Sequence, residues 1–304
     1  MEDHEALQKD LESVIEWSTT NNMELNESKF ELLQHGYNEE TKSSYTLPNG
    51  NELSPPESHP VRDLGIYIND STGISWNTQY FNMTKEAKKY AGWILRSFAS
   101  RSKKVILPLY RSFVRSRLEN ACPLWMPSTK KDIMAVEAIQ RSVTCKILEV
   151  YDKNYWDRLI ELQLYSLQRR RERFCIIHAW KILHGIVPNN ILMSFHDNPR
   201  LGPVADIPRL ISKRQHVNTL RDTSFSTRGP RLFNLLPKEL KETKSLPLFK
   251  SKLDQLLKQF PDTPPTPGYV AVNNNSLLDW AACGSLRYTG GYTTQGDAAP
   301  SDKA

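Results

Sequence analysis

From residue 75 onward apolar residues recur at helical spacing, and this periodicity limits most strongly what the chain can become. Long helical segments are predicted over 77–100, 103–121 and 129–148, separated by Ser100-Arg101-Ser102 and by the stretch from Cys122-Pro123 to Ser128. In the second, Leu107, Tyr110, Val114 and Leu118 form an apolar stripe, and Thr129 is placed to cap the third. Helices over 154–163 and 166–184 follow and stop near Gly185 and Pro188, and a last one over 246–260 stops at Pro261. Residues 185–230 are rich in Pro, Gly, Asn and Arg and read as irregular, with short strands around Phe225.

The first 72 residues are patterned differently. A helix over 5–20 carries Leu7, Leu11, Val14, Ile15 and Trp17, with acidic residues on its outer face. Residues 29–34 (KFELLQ) read as a short strand, and Asn49-Gly50 between Tyr45-Thr46-Leu47 and Glu52-Leu53 is a hairpin signal. Residues 62–68 (RDLGIYI) give the strongest strand pattern. The expected class is α+β, mostly α: a small sheet with one helix, then helical regions. The expected divisions are 1–72, 73–150, 151–262 and a Pro/Gly-rich, partly disordered tail over 263–304.

Charge follows the same division. The whole chain carries 40 Lys+Arg against 34 Asp+Glu, a net of +6. Residues 1–84 hold 4 basic against 15 acidic side chains, a net of −11. Residues 85–119 hold 10 against 2, a net of +8, and 120–304 hold 26 against 17, a net of +9. Such asymmetry points to a polyanion-binding surface in the basic part. No apolar run approaches the ~20 residues that span a bilayer, so no membrane partner is expected. The acidic start, MEDHEALQKD, lacks the pattern of a signal peptide, and the chain reads as intracellular, nuclear or cytoplasmic. Cys122, Cys145, Cys175 and Cys283 form neither a disulfide framework nor a zinc-finger spacing.

No complete active site is legible. There is no Asp-Asp pair, no HExxH, no Gly-x-Ser-x-Gly elbow and no Gly-rich phosphate loop. The basic clusters are more informative. Lys85, Lys88, Lys89, Arg96, Arg101, Lys103, Lys104, Arg111, Arg115 and Arg117 fall on two successive predicted helices and their turn. Arg169-Arg170-Arg171-Glu172-Arg173 forms a second cluster, and Arg200, Arg209, Lys213, Arg214, Arg221, Arg228 and Arg231 a third. Any one such run is ordinarily a solvated face; three with little acidic interleaving favour nucleic acid.

The order of motifs resembles the C-terminal half of a non-LTR (LINE-type, jockey-like) retrotransposon reverse transcriptase over about residues 7–280. LQKDLESVIEWSTTNNMELNESKFELL, with Trp17, Asn26 and Lys29, looks like the end of the palm. RDLGIYI, with Leu64 and Gly65, is similar to the hairpin that grips the primer end. YRSFVRSRLENACPLWMPS and IMAVEAIQRSVTCKIL resemble the thumb and the region after it. YWDRLIELQLYSLQRRRER, HAWKILHG and FNLLPKEL resemble the helical C-terminal region.

This resemblance implies a partial palm over 1–72 with a primer-grip-like hairpin, a helical thumb over 73–150 and a basic helical C-terminal domain. It implies Lys29 as the palm lysine and Leu64 and Gly65 against the primer end. It also implies Lys88, Lys89, Arg96, Lys103, Lys104, Arg111, Arg115, Arg169, Arg170 and Arg173 against the backbone of RNA, DNA or an RNA–DNA hybrid. The family's aspartates, which bind Mg²⁺, have no counterpart here, so a truncated RNA-directed DNA polymerase without cofactor, metal site or polymerase chemistry of its own is expected. Two alternatives stand beside it: a helical scaffold of retroelement origin, and a fragment that pairs with a missing palm and fingers segment.

Overall fold

The computed structural model describes residues 2–33, 44–47, 49–53, 60–68, 76–189, 224–268 and 275–282. Expectations for Gln34, for Arg200 through Arg221 of the third basic cluster and for the tail beyond Ala282 lie outside these residues. Those described are mostly helical with two small antiparallel sheets, the class that the periodicity predicts. The chain divides into two compact units, Met1–Leu164 with Val217–Ser224, and Tyr165–His216 with Phe225–Ala304.

In the first unit, α1 (Glu2–Thr20) lies beside the hairpin of β1 (Tyr45–Thr46) and β2 (Glu52–Leu53), whose register pairs Tyr45 with Leu53. Gly50 at φ +81° supplies the positive dihedral that this turn needs. His4 stacks on Tyr45, and the Gln8 amide both donates to and accepts from the backbone of Thr46. Leu11 and Ile15 are half-buried, while Leu7, Val14 and Trp17 of the same predicted stripe are exposed. The strand expected over 29–34 does not form in its described part. Glu27–Lys29 is a single 3-10 turn, because the Asn26 side chain accepts from the Ser28 N–H and hydroxyl and closes the backbone locally.

The helical part is built on α2 (Asn77–Ser97), whose buried Met83, Ala87, Ala91 and Ile94 recur at three- and four-residue spacing. Two alanines in that stripe let the next helices approach closely. Those are α3 (Lys103–Leu109), a π-helical turn (Tyr110–Arg115) and α4 (Ser116–Glu119), which together form the single helix expected over 103–121. Pro108 lies inside α3, has no N–H to give the preceding turn, and stands two residues before the start of the wider π turn. Glu149 caps α3, both carboxylate oxygens accepting from the Lys103 N–H at 2.9 Å. Leu107, Tyr110, Val114 and Leu118 are all buried, as their spacing predicts. The Thr129 hydroxyl accepts from the Asp132 N–H and caps α5 (Lys130–Thr144); Asn154 does the same at Asp157 for α6 (Tyr155–Glu161). Between these helices Tyr110 Oη donates to Gln140 Oε1 at 2.7 Å, Gln140 Nε2 donates to Tyr155 Oη at 3.1 Å, and Tyr155 donates to Glu137. Burial first, and then the Glu137 charge, push the Tyr155 phenol well above its ordinary value, so it stays a donor.

The second unit is organised around α7 (Leu167–Leu183), capped by the Ser166 hydroxyl and buried on most of its circumference. Residues around Phe225 do not form strands. They form α8 (Phe225–Asn234), because Leu232 and Phe233 are buried in contact with α7 and Gly229 leaves room for the Phe225 ring one turn away. Two further helices, α9 (Lys238–Lys241) and α10 (Leu246–Leu257), close the core; Trp180 stacks on Phe249 and its Nε1 donates to Thr243 O. The described tail is docked, with α11 at Leu277–Ala282. Arg169 Nη2 donates to Pro261 O at 3.1 Å and Asn275 O at 3.3 Å, and Ser276 Oγ and Leu277 N donate to Glu172. Burial pushes the Glu172 carboxyl up, and Arg169, Ser276 and the Leu277 N–H pull it back.

Glu172→Ala leaves Arg169 buried without its carboxylate and is expected to cost about 3–5 kcal/mol in urea unfolding of the second unit; a loss below about 1 kcal/mol would contradict the pairing. Tyr165, which donates to Asp254 O, is pushed up to about 12, first by burial and then by the Asp254 charge. The folded state therefore holds this proton more tightly than the unfolded chain, whose tyrosines titrate near ~10. Its contribution is fully present below about pH 10 and is lost as pH rises toward 12. Urea midpoints across that range should fall more steeply for the native chain than for Tyr165→Phe, and identical slopes would refute the assignment.

Candidate nucleic-acid interface

The strand expected over 62–68 is a hairpin, β3 (Val61–Asp63) and β4 (Ile66–Ile68), with Val61 opposite Ile68 and Arg62 opposite Tyr67. Leu64 at φ +46° and Gly65 at φ +82° make the turn, the pattern of a primed two-residue connection. Strand periodicity did not show this reversal, because apolar residues continue on both sides of the turn. Glycine takes that conformation freely, whereas a leucine there costs on the order of 1–2 kcal/mol. Leu64 is nonetheless 90% exposed, so no core contact offsets the strain.

Gln79 on α2 holds this hairpin, its Oε1 accepting from the Tyr67 N–H at 3.0 Å, and Val61 and Ile66 are buried. Between the hairpin, α2 and α4 lies a cleft of about 640 Å³. Arg62, Gly65 and Tyr67 line one wall, Asn82 and Glu86 the second, and Arg117 and Asn120 the third. Two guanidinium groups against one carboxylate favour an anion in this cleft.

Arg117 of the third wall also meets an aromatic ring outside the cleft. The Arg117 guanidinium lies 3.6 Å from the Tyr90 ring centroid and donates to Phe113 O, and Trp93 meets Phe113 edge-on at 6.1 Å. Trp93 is 47% and Phe113 40% exposed. Tyr90, Trp93 and Phe113 went unsingled in the sequence; Trp93 lies off the Met83–Ala87–Ala91–Ile94 stripe, which was the available signal. Of the cations predicted here, Lys88, Lys89, Arg96, Lys104 and Arg111 are exposed. Lys103 is 3.8 Å from Glu161, and Arg115 is 3.7 Å from Glu119. Lys29 is exposed at the end of its 3-10 turn.

The arginine-rich run of α7 behaves differently from its expected phosphate-facing role. Arg169 is 0% exposed, donates to two carbonyls and lies 3.8 Å from Glu172. Arg173 makes a two-pronged pair with Asp254, at 2.6 and 2.7 Å, that ties α7 to α10. Arg170 is half-buried with its guanidinium 5.4 Å from the Phe174 ring centroid. Folding consumes Arg169 outright because its partners come from the tail, which local spacing cannot reveal.

Among the described residues no group of three or more His, Cys, Asp or Glu side chains is placed to hold a metal ion. Among the described residues no helix is long and apolar enough to cross a membrane. No family model, curated protein or solved structure matches the chain.

Replacing Leu64 by Gly should raise stability by about 1 kcal/mol by relieving the left-handed strain, measured as a higher urea midpoint. An unchanged or lower midpoint would mean that the leucine makes a contact its exposure does not suggest.

Proposed function

We propose that this chain binds RNA, DNA or an RNA–DNA hybrid through its backbone, without sequence preference, as the thumb-like and C-terminal part of a non-LTR reverse transcriptase. The observation that carries this reading is the surface of the first unit. Exposed Lys88, Lys89, Arg96, Lys104 and Arg111 lie on consecutive helices, with exposed Trp93 and Phe113 among them. Cations spaced along helices neutralise phosphates, and exposed rings offer stacking surfaces to unpaired bases. The sequence contains no aspartate pair, so no polymerase chemistry is proposed for it alone.

A helical scaffold of retroelement origin is the second reading, and the interior placement of Arg169 and the pairing of Arg173 with Asp254 favour it. Association with a separate palm and fingers segment would also suit α1, whose Leu7, Val14 and Trp17 are exposed.

Anisotropy titrations of a labelled RNA–DNA hybrid at rising salt decide between them. Affinity should fall with a log–log slope on the order of −3 to −5, and the triple variant Lys88→Ala, Lys89→Ala, Arg96→Ala should flatten that slope by about 3. A flat salt response, or an unaltered slope in the variant, would leave the scaffold reading. Incorporation of dNTPs by the chain alone in primer extension would overturn the absence of polymerase chemistry.

A further inference from the structure

α1 meets the first hairpin through the side that carries His4 and Gln8. Leu7, Val14 and Trp17 lie on another side and are 49%, 53% and 57% exposed. With the exposed Asp3 and Asp10 they make the row 3, 7, 10, 14, 17, whose steps of four and three residues keep it on one helical face. Among the described side chains of α1, Asp3, Glu5, Asp10, Glu12 and Glu16 are acidic, against one lysine, Lys9. Three large apolar groups on one face are unfavourable in water, and their acidic setting opposes pairing of α1 with another α1.

The outward face of α2 has the matching pattern. Its buried row is Met83, Ala87, Ala91 and Ile94, and on the opposite side lie Phe81, Lys85, Lys88, Gly92 and Arg96, with Lys89 beside them. Phe81 is 65% exposed, and the Lys85 ammonium lies 5.9 Å from its ring centroid. Glu86 is the one acidic residue of α2, against four cations. Gly92 leaves a gap in this face, and the Arg96 guanidinium folds over it, 3.3 Å from where a β-carbon would sit.

Laid antiparallel, the two rows complement each other step by step. Trp17 meets Phe81, Val14 meets the alkyl stem of Lys85, Asp10 meets Lys88, Leu7 enters the gap at Gly92, and Asp3 meets Arg96. Antiparallel placement also sets opposite ends of the helix dipoles side by side. Both rows are exposed in the same chain, so neither covers the other, and a second copy supplies the complement.

We propose that α1 docks antiparallel on the outward face of α2 of a second copy of this chain. Lys88 and Arg96, which it covers, are also the cations proposed to meet phosphate, so docking and nucleic acid exclude one another there; the docking itself does not rest on that reading. Its charge pairs lie near solvent and are screened, so the association weakens as salt rises.

Sedimentation velocity of the nuclease-treated full chain tests this. The mean mass should rise with protein concentration and fall with added salt. Asp10→Arg and Lys88→Glu should each weaken self-association by at least about tenfold, because each sets like charges together, and the chain carrying both should recover most of it. Both positions are exposed, so thermal melts of all three variants should match the native chain. A mass that stays that of one chain leaves α1 to a separate partner and overturns the proposal, as does a double variant no better than either single one. Asp10→Arg strengthening the association would point to α1 pairing with α1, and Lys88→Glu leaving it intact would seat α1 elsewhere; either result also overturns it.

Discussion

A guanidinium taken out of water must be met by charge and by acceptors, and Arg169 shows how much structure that demand creates. Its acceptors, Pro261 O and Asn275 O, come from the chain beyond α10, and its carboxylate partner Glu172 also accepts from Ser276 and Leu277. Asn275 itself reaches Asp262, and Asp262 accepts from the Ser166 N–H at the start of α7. One buried cation therefore fixes both the beginning of α7 and the path of the tail. Beside the buried Pro264, Pro265 and Leu277, the tail satisfies polar groups that α7 buries.

The first unit solves a similar problem with neutral partners. Glu137, Gln140, Tyr110 and Tyr155 share hydrogen bonds inside the packing of the π turn, α5 and α6, and the raised Tyr155 pKa keeps its proton on the phenol. A fully satisfied network of this kind fixes the register of three helical segments, where apolar packing alone tolerates sliding. Arg158 lies beside this network without being part of it.

The proposed binding face of the first unit depends on the same economy of burial. Because α2 packs through small residues, its neighbours come close, and its larger side chains, Tyr90 and Trp93, are displaced toward the surface beside Phe113 and Arg117. The hairpin is tied to α2 by the Gln79 hydrogen bond, with Val61 and Ile66 buried, and presents a strained leucine to solvent. Cations, rings and an anion-favouring cleft therefore share one unit, a combination suited to a flexible polyanion.

Much of the fold was legible because its signals are local. Helical spacing located α2 through α7, Asn49-Gly50 located the first hairpin, and Thr129 capped α5 as its position before an apolar run requires. Each of these is settled within about one turn of chain, where residue type and spacing suffice. Strand periodicity alone did not show the second hairpin, because apolar residues continue through Leu64 and conceal the reversal; there only the motif resemblance pointed to a hairpin. The helix at Phe225 was hidden because α7 packing outweighs its Gly and Pro residues. The sequence by itself determined how many cations the chain has and which helices carry them. Only the tertiary structure decided which of them meet solvent, because burial depends on partners far away in the chain: those of Arg169 lie 92 and 106 residues off.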